Sequence, residues 1–243
     1  MTGQKTSTRR RRLPLAEFTA GVQILPDESA HYIRTVLRLQ TGSDVEVFDG
    51  QGRLAHATVR AIEGKTVELE IGEVQEVSPP SLALTLAVAA PKGDRADLVI
   101  EKATELGASH FVWLTTKRSV VVPRKAGKKL ERWRRVAQAA ARQSGRAHTP
   151  TVEEPIGFAE LLDRSFDHCF VCDWSGPSLL KVVTQQALIG SAVVVIGPEG
   201  GLTDDELEIL KRAGYNPVNL GPNVLRVETA SVAAAAILMG DCS

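Results

Sequence analysis

Three cysteines in 243 residues are too few to staple a chain of this length, so no disulfide framework is expected. A reducing, cytoplasmic setting fits that count. No apolar run approaches the roughly 18 residues a membrane span needs. The arginine-rich start has no apolar stretch behind it, which excludes a secretory signal as the reading of that segment. None of the five histidines stands at metal-ligand or catalytic-triad spacing. Cys169-x-x-Cys172 lacks a second cysteine pair or a histidine pair to complete four zinc ligands. The pair also falls in a strand-like run, Cys169-Phe170-Val171-Cys172, where residues three apart face opposite sides. These cysteines read as buried thiols, and no metal is expected.

The chain also lacks net charge, which at first argues against a polyanionic partner. The distribution reverses that. Lys117 to Arg146 holds eleven Lys or Arg against one acid, Glu131, which leaves eighteen bases and twenty-eight acids for the rest. Arg9-Arg10-Arg11-Arg12 adds a second basic cluster. By itself a basic run reads as a solvated helix face; concentrated in this way, it is also the footprint of a phosphate-binding surface. Trp133, among Arg132, Arg134 and Arg135, reads as the core residue of an amphipathic helix.

A hydrophobic content of 43% supplies a real core. Residues 1–12 are expected to be a basic arm without structure of its own. From Val22 to Val77 short alternating strands dominate: Val45–Phe48, Leu54–Val59 and Thr66–Ile71, punctuated by Gly50, Gly52, Gly64 and Gly72. One helix is expected there, over Ser29–Leu39. This predicts a small β-barrel over residues 13–78. Ser78-Pro79-Pro80 reads as a linker, and after it the period changes. Strands at Leu82–Ala90, Phe111–Leu114 and Cys169–Cys172 alternate with helices at Asp94–Leu106, ended by Gly107, and at Lys128–Arg146. Such alternation predicts an α/β domain with a mostly parallel sheet over residues 79–243. The last helix, Ser231–Met239, is apolar nearly all round, so it is expected to be buried, partly by a partner subunit.

The segment richest in information is Val193-Val194-Val195-Ile196-Gly197-Pro198-Glu199-Gly200-Gly201-Leu202-Thr203. A buried strand runs into a glycine loop, and Thr203-Asp204-Asp205-Glu206 is a capping box that starts a helix. Strand, loop and helix in this order build ligand pockets at the carboxyl ends of α/β strands. The loop lacks the Gly-Lys-Ser/Thr ending of a P-loop and does not match Gly-x-Gly-x-x-Gly. Glu199 inside it would repel a pyrophosphate. A nucleoside-like ligand with positive charge fits better, and S-adenosyl-L-methionine is one. Near the C-terminus a second short strand, Val218–Leu220, enters Gly221-Pro222-Asn223, followed by Val224-Leu225-Arg226-Val227-Glu228-Thr229-Ala230 and an alanine-rich helix.

Together these loops resemble the SPOUT class of RNA methyltransferases, and more narrowly its RsmE family, which methylates N3 of a uridine in small-subunit 16S ribosomal RNA. Further segments carry the same resemblance: Pro91-Lys92-Gly93-Asp94-Arg95-Ala96-Asp97 with Glu101–Gly107, Thr116-Lys117-Arg118-Ser119-Val120-Val121, Gln143–Arg146, His31–Arg38 and Phe48–Gly52. It covers roughly residues 10–239. It implies a PUA-like RNA-binding barrel, a C-terminal trefoil knot and a homodimer with the last helix near its interface. The ribosomal substrate is expected within the 30S subunit. Periodicity does not indicate a knot.

The resemblance implies cofactor contact from Ile196, Gly197, Pro198, Glu199, Gly200, Gly201, Gly221 and Thr229, with Leu220 and Leu225 against the adenine. Glu199 reads equally as a structural anion, a neighbour of the sulfonium or a partner of Arg226. Arg226, in an otherwise apolar segment, is a candidate to stabilise the uridinate that forms when N3 loses its proton, or to hold the target phosphate. Glu228 is a candidate general base, and equally a first-turn residue favoured by the helix dipole. Arg12, Arg34, Arg38, Lys92, Arg95, Arg118, Arg142 and Arg146 are candidate RNA contacts. Two alternatives stand beside this reading: a SPOUT enzyme acting on ribose 2′-O, and a non-catalytic RNA-binding assembly factor. A dehydrogenase lacks its dinucleotide fingerprint.

Overall fold

The alternating N-terminal segments form six strands: β1 (Arg12–Pro14), β2 (Gly21–Ile24), β3 (Asp44–Phe48), β4 (Arg53–Glu63), β5 (Thr66–Ile71) and β6 (Gln75–Glu76). They pair in the order β1-β3-β4-β5-β2, with β6 beside β4. Only β1 and β3 run parallel. The computed structural model describes residues 11–91, 95–119 and 127–240. It divides into two units, the chain up to Pro79 with Arg142–His148, and the remainder.

In the first unit the pleat sends Val45, Val47, Ala57, Val59, Leu69 and Ile71 into one core, as the period of two requires. Helix α1 (Asp27–His31) runs on as a wider turn through Val36 and adds Ala30 and Ile33 to that core. Two residues later Arg38 takes a positive φ of 52°. A side chain adopts that conformation only at a cost.

The first unit corrects the expected arm at one residue. Arg12 is not part of a free basic tail but a buried member of β1. Its Nε lies 2.6 Å from Glu46 Oε1, its Nη1 donates to the Arg146 carbonyl, and its guanidinium sits 4.3 Å from the Phe48 ring centre. A guanidinium held this way inside the unit is not presented to a phosphate. Arg9 and Arg10 lie outside the described residues.

The second unit is a seven-stranded, wholly parallel sheet. Its strands are β7 (Leu82–Ala89), β8 (His110–Thr115), β9 (Thr151–Val152), β10 (Ile156–Gly157), β11 (His168–Cys172), β12 (Gly190–Ile196) and β13 (Asn216–Val218). The order is β10-β8-β7-β12-β11-β13, with β9 beside β8. Burial on both faces explains why the central strands read as continuous apolar runs. In β12, Ala192, Val194 and Ile196 face one core while Val193 and Val195 face the other. The first core is covered by α2 (Arg95–Glu105), α3 (Lys128–Ser144), α5 (Leu179–Gln185) and α7 (Val227–Met239). Trp133 lies in it, its ring 5.0 Å from that of Trp113. The second is covered by α4 (Phe158–Leu162) and α6 (Asp204–Arg212). Cys172 packs against the first core and Cys169 against the second, on opposite faces as a strand dictates.

Helix α7 begins at Val227, four residues before the expected Ser231. Arg226 caps it with extended backbone, and its carbonyl accepts from the Ala230 N–H. Helix α3 stops at Ser144, where Gly145 takes a positive φ.

One backbone contact closes the carboxyl end of this sheet. Asn219 N donates to the Pro177 carbonyl and Leu179 N to the Asn219 carbonyl, both at 2.9 Å. Gly176 lies beneath that contact, and a Cβ there would collide with the Pro217 carbonyl and Val218 N. Gly176→Ala is therefore expected to destabilise the protein by about 1–3 kcal/mol, the range for overpacking a filled site. Gly200→Ala, whose Cβ would meet only the Arg118 side chain at 3.7 Å, is expected to cost far less. Urea unfolding of the two variants checks the contrast.

Candidate functional site

The strands β11, β12 and β13 end side by side at Cys172, Ile196 and Val218. A cleft of about 530 Å³ opens there. Its walls are the glycine loop from Gly197 to Leu202, the segment from Asn219 to Leu225, the turn Asp173–Trp174, and Val227 and Ala230 of α7. This is where an open parallel sheet is expected to bind a ligand. Trp174 and Val224 line it while remaining largely exposed. Asp173, Glu199 and Asp204 are its charged lining residues; no Lys or Arg is among the described residues that line it.

The glycine loop is held by charges on other segments. Glu206 Oε2 accepts from Thr203 N and Oγ1, and Thr203 Oγ1 in turn accepts from Glu206 N, completing the capping box. Its other oxygen accepts from the Lys117 N–H at 2.7 Å. Glu206 is buried, so these charge-assisted bonds contribute more than the exposed pair between Lys117 Nζ and Asp205, which solvent screens. Arg118 Nη1 donates to the Gly200 carbonyl at 2.8 Å and to that of Leu202 at 3.3 Å. Gly201 turns the loop with φ +70°, a conformation open to glycine at no steric cost. Arg95, at the start of α2, lies 3.7 Å from carboxylate oxygens of both Glu199 and Glu228.

Comparison with known proteins agrees with this geometry. A family model described as an RNA methyltransferase domain matches residues 78–239, and one described as an RNA methyltransferase PUA domain matches residues 25–72. A ribosomal RNA small subunit methyltransferase E from a Synechocystis strain is 36% identical over 211 residues, 85% of this chain and 69% of the relative. The chain belongs to the ribosomal RNA small subunit methyltransferase E family. The Bacillus subtilis member is 34% identical, with 85% of each chain covered. The crystal structure of the Neisseria gonorrhoeae member bound to S-adenosyl methionine is similar with a TM-score of 0.84 and 29% identity. It covers 96% of this chain and 98% of that one.

Within this methyltransferase family member, Ile196, Gly197, Pro198, Glu199, Gly200, Gly201, Leu220, Gly221 and Leu225 all line this cleft. Thr229 does not; it is exposed on the first turn of α7. Arg226 is exposed and absent from the lining, although its neighbours Leu225 and Val227 are part of it. Glu199 is paired with Arg95 rather than with Arg226. Glu228 is mostly buried, and its Oε2 has no hydrogen-bond partner among the described residues.

The basic candidates separate. Arg118 holds loop carbonyls, and Arg95 faces carboxylates. Arg142 lies 4.9 Å from the Tyr32 ring centre, and Arg34 Nη1 donates to the Gly64 carbonyl. Arg38 is exposed, and burial lowers the pKa of Arg146. Lys92 lies outside the described residues. Asp173, Trp174 and Asn223 also line the cleft, beyond the residues expected from the sequence. The available signal was their position directly after a buried strand or within the second glycine loop.

Burial pushes the Cys172 thiol up to about 12. Only the thiolate alkylates, and at pH 8 the native Cys172 is overwhelmingly the protonated thiol. Iodoacetamide at pH 8 is therefore expected to label Cys172 at least about 100-fold more slowly in the native protein than in urea, with the native rate rising as pH rises. Peptide mapping of the alkylated cysteines checks this; equal native and denatured rates would contradict it.

Proposed function

We propose that this chain transfers a methyl group from S-adenosyl-L-methionine to N3 of a specific uridine in 16S ribosomal RNA, within the 30S subunit. The observation that carries the reading is the cleft: glycine backbone, apolar walls and three carboxylates with no cation among the described lining residues. Such a lining repels polyphosphates and suits a nucleoside with a sulfonium charge. Its volume falls within the roughly 300–1,000 Å³ of small-molecule sites. Backbone groups of Gly197–Gly201 and Gly221 would hold the polar parts of the cofactor, and Leu220 and Leu225 its adenine. When bound, the cofactor supplies an electrophilic methyl carbon. The Neisseria gonorrhoeae relative bound to S-adenosyl methionine supports the assignment.

Methyl transfer to N3 needs a proton acceptor and a stabilised anion. Glu228 takes the first role in this reading. Arg226, exposed beside the cleft, takes the second, or holds the target phosphate. Arg34, Arg38, Arg142 and Arg146 contribute phosphate contacts. The trefoil knot belongs to the same reading, supported by the seating of Asn219 against Pro177 and Leu179. So does a homodimer in which the remaining apolar face of α7 meets a second copy, in the cytoplasm.

The deciding experiment is transfer of tritiated methyl from labelled S-adenosylmethionine to 30S subunits from cells lacking their own copy of this enzyme, with mass spectrometry of the product nucleoside. N3-methyluridine at one site is the expected product. A methylated ribose would move the function to 2′-O transfer, and absence of cofactor binding would leave an RNA-binding factor. Arg38→Ala is expected to flatten the salt dependence of RNA binding by about one unit of log–log slope, as loss of one phosphate contact does. Filter binding across a salt series measures that slope.

A further inference from the structure

Arg95 opens α2, Glu199 sits in the glycine loop, and Glu228 lies in the first turn of α7. Three segments far apart in sequence thus meet through one guanidinium, with Nη1 3.7 Å from Glu199 Oε1 and Nε 3.7 Å from Glu228 Oε1. Without Arg95 the carboxylates of Glu199 and Glu228 would have no described cation between them. The two oxygens of Glu228 differ sharply. Oε1 faces Arg95, whereas Oε2 is buried and accepts no hydrogen bond from any described residue. A buried acceptor left without a donor is costly, and in a native structure it calls for an explanation. A donor arriving with the substrate supplies one, provided the first turn of α7 shifts to open Oε2 toward the cleft, since Val227 and Ala230 line it and Glu228 does not.

We propose that Arg95 is a positioning residue for the methyl-transfer reaction. It engages Glu228 through Oε1 and leaves Oε2 as the acceptor for the N3 proton of the target pyrimidine. This rests on the uridine-N3 reading above and gives Arg95 a role other than phosphate contact. The atoms balance. The N3 proton passes to Oε2, the electron pair left on N3 forms the new N–C bond, and the C–S pair stays on sulfur as a neutral thioether. Tethering to Glu199 fixes the guanidinium from its other side, so the Glu228 carboxylate is oriented relative to the glycine loop. An arginine suits this task better than a lysine, because its planar fork addresses two carboxylates at once.

The test uses the full-length protein with Arg95→Ala, Arg95→Lys, Glu228→Gln and the Arg95→Ala/Glu228→Gln double variant, each checked for native circular dichroism. Cofactor affinity is read by calorimetry, RNA affinity by a salt series, and the chemical step by single-turnover transfer. Glu228→Gln is expected to slow the chemical step by about 10²–10⁴-fold, the range for loss of a general base. Arg95→Ala is expected to slow it by about 10²-fold, the effect of a misplaced group. RNA affinity, its salt slope and cofactor affinity should stay within about threefold. Arg95→Lys should recover part of the rate. The double variant should be no slower than Glu228→Gln alone, since residues acting as a unit are not additive.

A flatter salt slope and weaker RNA binding with an unchanged single-turnover rate would make Arg95 a phosphate ligand and overturn the positioning role alone. Additive losses in the double variant would likewise overturn action through Glu228. Full activity of Glu228→Gln would remove the proton acceptor. A wild-type protein that methylates no pyrimidine N3 would overturn the underlying reading, whatever the variants do.

Discussion

The seating of the chain around Asn219 against the turn after β11 is the constraint on which the site depends. Asp173 N donates to the Val218 carbonyl, Asn219 N to Pro177, Leu179 N to Asn219, and the Asn219 side chain to the Gly176 carbonyl. These bonds satisfy the polar backbone at the buried end of the sheet, where orphaned groups would be costly. They also fix the direction in which the chain leaves β13. From the pinned Asn219 the chain continues into Leu220–Leu225, which walls the cleft together with the glycine loop. The cleft is the space left between the two.

Around this frame, charge is used in three distinct ways. Glu206 is buried and saturated, so it joins α6 to the segment after β8. Arg118 is exposed yet spends its donors on loop carbonyls, which fixes the backbone that faces the cleft. Asp173, Glu199 and Asp204 line the cleft and set its sign. A basic residue count alone could not separate these uses. Arg12 makes the same point from the first unit: its neighbours in sequence suggested a polyanion contact, but Glu46 and Phe48 hold it inside. Desolvating a guanidinium requires such partners, and partners that distant in sequence leave no local mark.

Local signals were legible where the physics is local. The capping box at Thr203 needs only its own four residues, and it starts α6 where the pattern places it. Gly107 ends α2 through its own backbone conformation. The valine run of β12 reads as buried because both faces of a parallel strand are covered. Short elements escaped detection. The two-residue strands β9 and β10 exist only through pairing with β8, and helix α5 is too short to declare a period.

The sequence by itself determined the two classes of unit, the positions of the glycine loops and the family. Those follow from periodicity, backbone chemistry and ordered motifs that survive without knowledge of contacts. Only the tertiary structure decided which residues share a cleft, which arginines are spent on carbonyls and carboxylates, and which oxygen of Glu228 is left free. Each of those depends on segments brought together across the sheet. A side chain's role is set by the partners it meets there, and linear order does not encode their distances.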